Sequence, residues 1–233
     1  MRPLTRQSVL DAHEIIKPLI HRTPVVTSTL LNQLASTPRK KAKPVLRLWF
    51  KCENQQRIGA FKVRGAFHAI EKLKQEPGWI EGGGLSRGVL GNHAQAVALA
   101  ARESNIPAHI VIPETSSPVK IKSVEGYGAK LTLSGRFDRE AVAAKIVEDT
   151  GARLIPPYDH PDVILGQGSV GLEMQEQIPK LDAIISPSSG GGLLSGTALS
   201  CEGTGIKVYG AEPEFEGADD GRRGFLSGNR LPR

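Results

Sequence analysis

Apolar residues Val9, Leu10, Ile15, Ile16 and Leu19, with His13 among them, recur at helical spacing between positions 7 and 20 and predict an opening helix that ends before Pro24. Ser36 to Pro44 is polar and basic and reads as an exposed loop. After it, Val45, Leu46, Leu48 and Phe50 predict a short strand ending at Lys51, and a helix is predicted from Ala60 to Lys74. From there short apolar runs alternate with helical stretches. The predicted strands are Arg87–Leu90, His109–Ile112, Lys130–Leu133, Leu154–Ile155, Ala183–Ser186 and Val208–Ala211. The predicted helices between them are Asn92–Ser104, Val119–Tyr127, Arg139–Thr150 and Gly168–Gln177. Strands that each return through a helix pair in parallel, so the expected class is α/β, with two open sheets sharing a cleft.

Composition narrows the setting. With 233 residues, 39% of them hydrophobic, the chain has enough apolar material for a sizeable core. Its two cysteines, Cys52 and Cys201, suit neither a disulfide framework nor a zinc site, which points to a reducing compartment. Asp11 and Glu14 interrupt the first amphipathic stretch, and no apolar run approaches bilayer length, so a soluble cytoplasmic protein with no membrane partner is expected. Much of the net charge of +6 sits in Arg39, Lys40, Lys41 and Lys43, read as a solvated loop tip. Aromatic residues make up only 5% of the chain, too few to supply stacking platforms beside that patch, so no nucleic-acid partner is expected.

Three segments carry candidate chemistry. Lys62 begins a helix directly after a glycine turn at Gly59, close to backbone N–H donors that favour the neutral, nucleophilic amine. Taken alone, such a lysine is more often a solvated charge. Ser188, Ser189, Gly190, Gly191, Gly192 and Leu193 follow an apolar strand and lead into a helix. Successive backbone N–H groups there can close on a phosphate, although the run also fits a flexible turn. Asn92, at the start of another helix, either caps it or turns its amide into the cleft. His68, His93 and His160 form no recognisable catalytic arrangement and are read as structural or solvated.

Together these segments resemble the fold-type II pyridoxal-phosphate enzymes, specifically the serine racemase and serine/threonine dehydratase branch. Gly59-Ala60-Phe61-Lys62-Val63-Arg64-Gly65-Ala66 is similar to the branch's lysine motif. Gly91-Asn92-His93-Ala94-Gln95-Ala96 is similar to its asparagine loop, and Ser189 to Leu193 to its phosphate cup. The resemblance implies two open α/β domains of the tryptophan synthase beta-like kind, with the large domain incomplete. Residues 1–78 and 158–233 would form the large domain and 79–157 the small one. It implies pyridoxal 5'-phosphate held by Lys62, packed near Phe61, hydrogen-bonded by Asn92 and gripped at its phosphate by Ser189, Gly190, Gly191, Gly192 and Leu193. Lys62 would then remove the α-proton of a small hydroxy-amino acid, leading to racemisation, or to loss of the β-hydroxyl with release of a keto acid and ammonia. Gly210-Ala211-Glu212-Pro213 and Gly217-Ala218-Asp219-Asp220 resemble a divalent-cation site in which Glu212, Ala218 and Asp220 would bind Mg2+ or Ca2+ through oxygen; an acidic surface turn fits the same residues. A homodimer is the expected assembly.

The chain departs from that family twice. Arg87-Gly88-Val89-Leu90 abuts Gly91 directly, without the hydroxyl-rich turn that would bind the substrate carboxylate, and the sequence stops at Arg233 where the family continues. Both departures read as missing segments. The rival expectations are a catalytically impaired homologue that keeps a cofactor or phosphate pocket as a binding protein, and a phosphate-binding module unrelated to pyridoxal.

Overall fold

The structure is a computed structural model that describes residues 3–38, 41–77, 85–88, 92–135, 138–214 and 218–229, with the backbone alone for 85–88 and 92. Helix α1 (Arg6–Ile16) starts where Thr5 accepts the Ser8 backbone N–H on its hydroxyl and buries Val9, Ala12 and Ile16. A hairpin-like pair follows, β1 (Val25–Thr27) antiparallel to β2 (Trp49–Lys51), with α2 (Thr29–Ala35) in the connection. The strand expected from Val45 therefore begins only at Trp49. A strand extends as far as its partner, β1 has three residues, and Val45 is left 89% exposed.

Helix α3 (Lys62–Leu73) comes next, and then β3 (Leu85–Gly88), α4 (Asn92–Glu103), β4 (Ala108–Pro113), α5 (Pro118–Gly126), β5 (Lys130–Ser134), α6 (Arg139–Thr150) and β6 (Arg153–Leu154). These four strands form one wholly parallel sheet in the order β5-β4-β3-β6, as the alternation of strand and helix predicts. Strand β3 pairs Leu85 with Ala108 and Gly88 with Val111; Val89 and Leu90 of the expected strand lie outside the described residues. The chain continues through α7 (Pro161–Gln177), β7 (Ala183–Pro187), α8 (Gly192–Ser200), β8 (Lys207–Ala211) and α9 (Asp220–Ser227), with β7 and β8 parallel.

Helix α7 starts seven residues before the expected Gly168 and is the axis of the molecule. Gly166, Gly168 and Gly171 each weaken an isolated helix by about 1 kcal/mol, which hides this one from a propensity reading. Packing explains them. A Cβ on Gly166 would lie 2.6 Å from the Arg64 carbonyl oxygen of α3, and one on Gly168 would lie 2.7 Å from the Gly196 carbonyl oxygen of α8. Gly196 is equally confined, since a Cβ on it would lie 2.6 Å from the Gly168 nitrogen. The two neighbours of α7 thus touch it backbone to backbone. Gly168→Ala is expected to cost about 1–3 kcal/mol, because displacing main chain outweighs the gain in helix propensity. Thermal unfolding measures it, and an unchanged or higher midpoint would contradict the crossing.

A continuous apolar core runs from Ile16 of α1 through Val63, Phe67 and Ile70 of α3 to Val97 and Ala101 of α4 and Ile110 of β4. A second cluster gathers Val170 and Met174 of α7, Ile184 of β7 and Cys201 after α8, with Phe61 and Leu193 packed on its edge. Among the described residues no helix is long and apolar enough to cross a membrane.

Candidate active site

Lys62 is the first residue of α3, reached through a tight bend in which Ile58 and Gly59 both take positive φ, 61° and 71°. Its half-buried ammonium donates to the Pro157 carbonyl oxygen at 2.8 Å and stands 5.3 Å from the centre of the Phe61 ring. Pro157 lies just beyond the carboxyl end of β6, the end at which open α/β sheets collect ligands.

The glycine run leaves β7 with the Ser188 N–H bonded to the Ala211 carbonyl of β8. Gly191, at φ +85°, turns the chain into α8, and no side chain caps that helix, so its leading N–H groups remain available to an anion. Tyr158 closes the arrangement. A Cβ on Gly190 would overlap its ring, and one on Gly192 would come within 2.8 Å of its carbonyl oxygen. The residue next to the lysine's acceptor is thus the one packed on the glycine run. Lys62 and the phosphate-type loop are held against one wall, and Phe61 and Leu193 meet the same apolar cluster.

Ser188, Ser189, Gly190 and Gly191 line an open cavity of about 490 Å3, which Glu212 and Asp220 also border. The Glu212 carboxylate accepts the Arg222 N–H at 2.8 Å and so acts as a cap for α9, while Asp220 is the first residue of that helix. Ala218 lies exposed just before it. Among the described residues no three metal-binding side chains converge. Asn92 opens α4, with its side chain outside the described residues, as is Gly91. The three histidines sit in structural surroundings: His68 Nδ1 lies 2.6 Å from the Asp162 carbonyl oxygen, His93 is buried in α4, and the His160 ring accepts the Asp162 N–H at the start of α7.

Sequence reasoning missed a buried ionic network behind Lys62. Arg64, wholly buried, bonds Glu53 through Nε and a terminal nitrogen, both at 2.8 Å. It also bonds both oxygens of Glu173, 1% exposed, at 2.7 and 2.9 Å. Lys51 adds a 2.5 Å contact to Glu173 and a 2.8 Å bond to the Thr23 carbonyl. Two cations thus balance two carboxylates. Burial alone would raise the Glu173 pKa, but the hydrogen bonds and charge of Arg64, then Lys51, outweigh it and hold the carboxylate below its ordinary value. Burial lowers Lys51 more than Glu173 raises it. The missed signals differ in kind. Pro156-Pro157 at a strand end marks a cleft loop, whereas nothing local predicts that residues 51, 53, 64 and 173 meet.

Comparison with known proteins adds a further line. A family model for pyridoxal-phosphate dependent enzymes matches residues 16–232. The L-threo-3-hydroxyaspartate ammonia-lyase of Saccharomyces cerevisiae is 43% identical over 233 aligned residues, covering 97% of this chain and 66% of that one. Among solved structures, serine racemase from Dictyostelium discoideum superposes with a TM-score of 0.86 at 40% identity, covering 97% of this chain and 70% of that one. The serine racemase of maize superposes at 0.88 with 39% identity, covering 98% and 67%. A T.th. threonine deaminase superposes at 0.84 with 36% identity, covering 98% and 71%. The chain spans just under two thirds of the length of the yeast protein.

Proposed function

This chain belongs to the pyridoxal-phosphate dependent enzyme family, in its fold-type II form, and on that footing we propose that it acts on a small hydroxy-amino acid as an ammonia-lyase, a racemase or both. The observation that carries the reading is the shared wall: Pro157 accepts the Lys62 amine while Tyr158 packs on Gly190 and Gly192. The residues fit the cofactor. Lys62 supplies a half-buried primary amine on a fixed helix start, and the uncapped N-terminus of α8 supplies donors for a phosphate.

In this reading Lys62 holds the cofactor through its ε-amino group, Phe61 and Tyr158 shape the slot, and Ser189, Gly190, Gly191, Gly192 and Leu193 take the phosphate. When bound, pyridoxal phosphate delocalises the negative charge left at the substrate's α-carbon. Lys62 would serve as the base for the substrate's α-proton, and the Pro157 carbonyl that accepts its N–H would be an acceptor for the ammonium that results. Asn92 belongs to the same proposal as a hydrogen-bond donor to the cofactor ring. A divalent ion at Glu212, Ala218 and Asp220 rests on two of these bordering one cavity, and would require Glu212 to exchange the Arg222 N–H for the metal. The division into a large domain, 1–78 with 158–233, and a small one, 79–157, the homodimer and the cytoplasmic setting complete it.

Keto-acid release from L-serine, L-threonine and L-threo-3-hydroxyaspartate, with conversion of L- to D-serine followed in parallel, is the direct test. Turnover of any of these that requires added pyridoxal phosphate supports the reading. Bound cofactor without turnover favours the binding-protein alternative, and folded protein that takes up no cofactor ends the proposal.

A further inference from the structure

We propose that Glu53 is a positioning residue for Lys62, acting through Arg64, an inference that rests on the role given to Lys62 above. Successive helical residues turn by about 100°, so Arg64 projects to the opposite side of α3 from Lys62. Arg64 enters the core while the lysine reaches the Pro157 carbonyl. The chain between Glu53 and Arg64 contains the bend at Ile58 and Gly59, and Ile58 at φ 61° is in a conformation that costs a β-branched residue energy. Such a bend persists only when its two ends are fixed.

The two bonds from Arg64 to Glu53, each 2.8 Å, join those ends and close a loop that has Lys62 inside it. Thr23 secures the far side, donating its hydroxyl to Glu53 at 2.6 Å. Glu173 does a different job. It ties Arg64 to α7, and so holds the helix body without restraining the bend. The division makes the proposal testable. With Glu173 still neutralising Arg64, Glu53→Gln keeps an acceptor oxygen beside the guanidinium and leaves the buried arginine paired, while the two-pronged clasp on the loop is lost.

Two readouts separate positioning from plain stability. The first needs no cofactor: acylation of Lys62 followed across pH by peptide mass spectrometry, with exposed Lys145 of α6 as the internal control. Released from the Pro157 carbonyl, Lys62 in Glu53→Gln is expected to react about threefold faster, with Lys145 unchanged. The second is pyridoxal phosphate retention, with the lysine adduct trapped by borohydride. Apparent affinity is expected to fall roughly tenfold in Glu53→Gln and to recover in large part in Glu53→Asp, which keeps the charge. Folded Glu53→Gln with native acylation and native retention would overturn the proposal. Should that variant fail to fold, Thr23→Val removes the hydroxyl clamp at constant volume and reads the same two quantities, with absence of any change again decisive against it. Failure of the unaltered protein to retain pyridoxal phosphate would refute the cofactor reading instead, and the acylation comparison would still decide the role of Glu53.

Discussion

Lys62→Ala is expected to abolish trapping of pyridoxal phosphate and to lower any keto-acid release by about a thousandfold or more, because it removes the residue proposed above as both attachment point and base. The substitution is mild for the fold. Lys62 occupies the first helical position, is half-buried, and lies outside the network that anchors α3, and alanine is the best helix former. The melting point should therefore move little while the visible absorbance of the cofactor-loaded protein disappears. The phosphate site proposed at the α8 terminus does not include the lysine, so inorganic phosphate is expected to protect variant and parent alike against unfolding. Retention of the absorbance band in Lys62→Ala would place the attachment elsewhere and remove the basis for the assignment.

Glu173→Ala is expected to be the most damaging substitution to stability. It leaves Arg64, wholly buried, with Glu53 as its carboxylate partner, and Lys51, 4% exposed, with the neutral Thr23 carbonyl and Gln177 amide. Truncating one member of such a group costs about 3–5 kcal/mol, which in a chain of this size lowers the melting point by roughly 10 °C. Removing the pair together behaves differently. Lys51→Met combined with Glu173→Leu eliminates a cation with its anion and leaves Arg64 with Glu53, so the double variant should be more stable than Glu173→Ala alone. The native protein also acquires a pH signature from this carboxylate. Its pKa lies below the unfolded value of 4.5, so the stability it contributes is complete above that pH and disappears as the pH falls through the folded value. Urea midpoints should therefore fall with acidification below about pH 4.5 in the native protein and fall less steeply in the Lys51→Met, Glu173→Leu variant. Equal acid slopes would dissociate Glu173 from acid unfolding.

How much of this could be read beforehand depended on the range of the interactions. The lysine after Gly59 and the glycine run before α8 were legible because each is written in consecutive residues, and backbone geometry alone makes them unusual. Strands β4 and β5 were legible because each is a short apolar run between turn residues. The family comparisons bear out the fold class. The start of α7 was misplaced because glycines that appear to break a helix are there to admit α3 and α8, a requirement visible only in three dimensions. Strand β1 and helix α2 were unforeseen because three residues and seven residues carry too little periodicity, and α2 buries none of its side chains. Helix α9 escaped for the same reason. Tyr158 was overlooked because an aromatic residue in a loop has no pattern, and the network of Lys51, Glu53, Arg64 and Glu173 because charged residues by default read as surface.

The backbone contacts of α7 with its two neighbours have a consequence for how this protein can diversify. Where helices meet through side chains, a larger or smaller residue moves the axes apart or together by small steps. At Gly166, and at Gly168 with Gly196, main chain meets main chain instead, so at those points the interval between the helix that starts at Lys62 and the helix that follows the glycine run has little fine adjustment. Changes in which molecule is accepted are therefore expected away from these crossings, in connecting segments that do not pack against them.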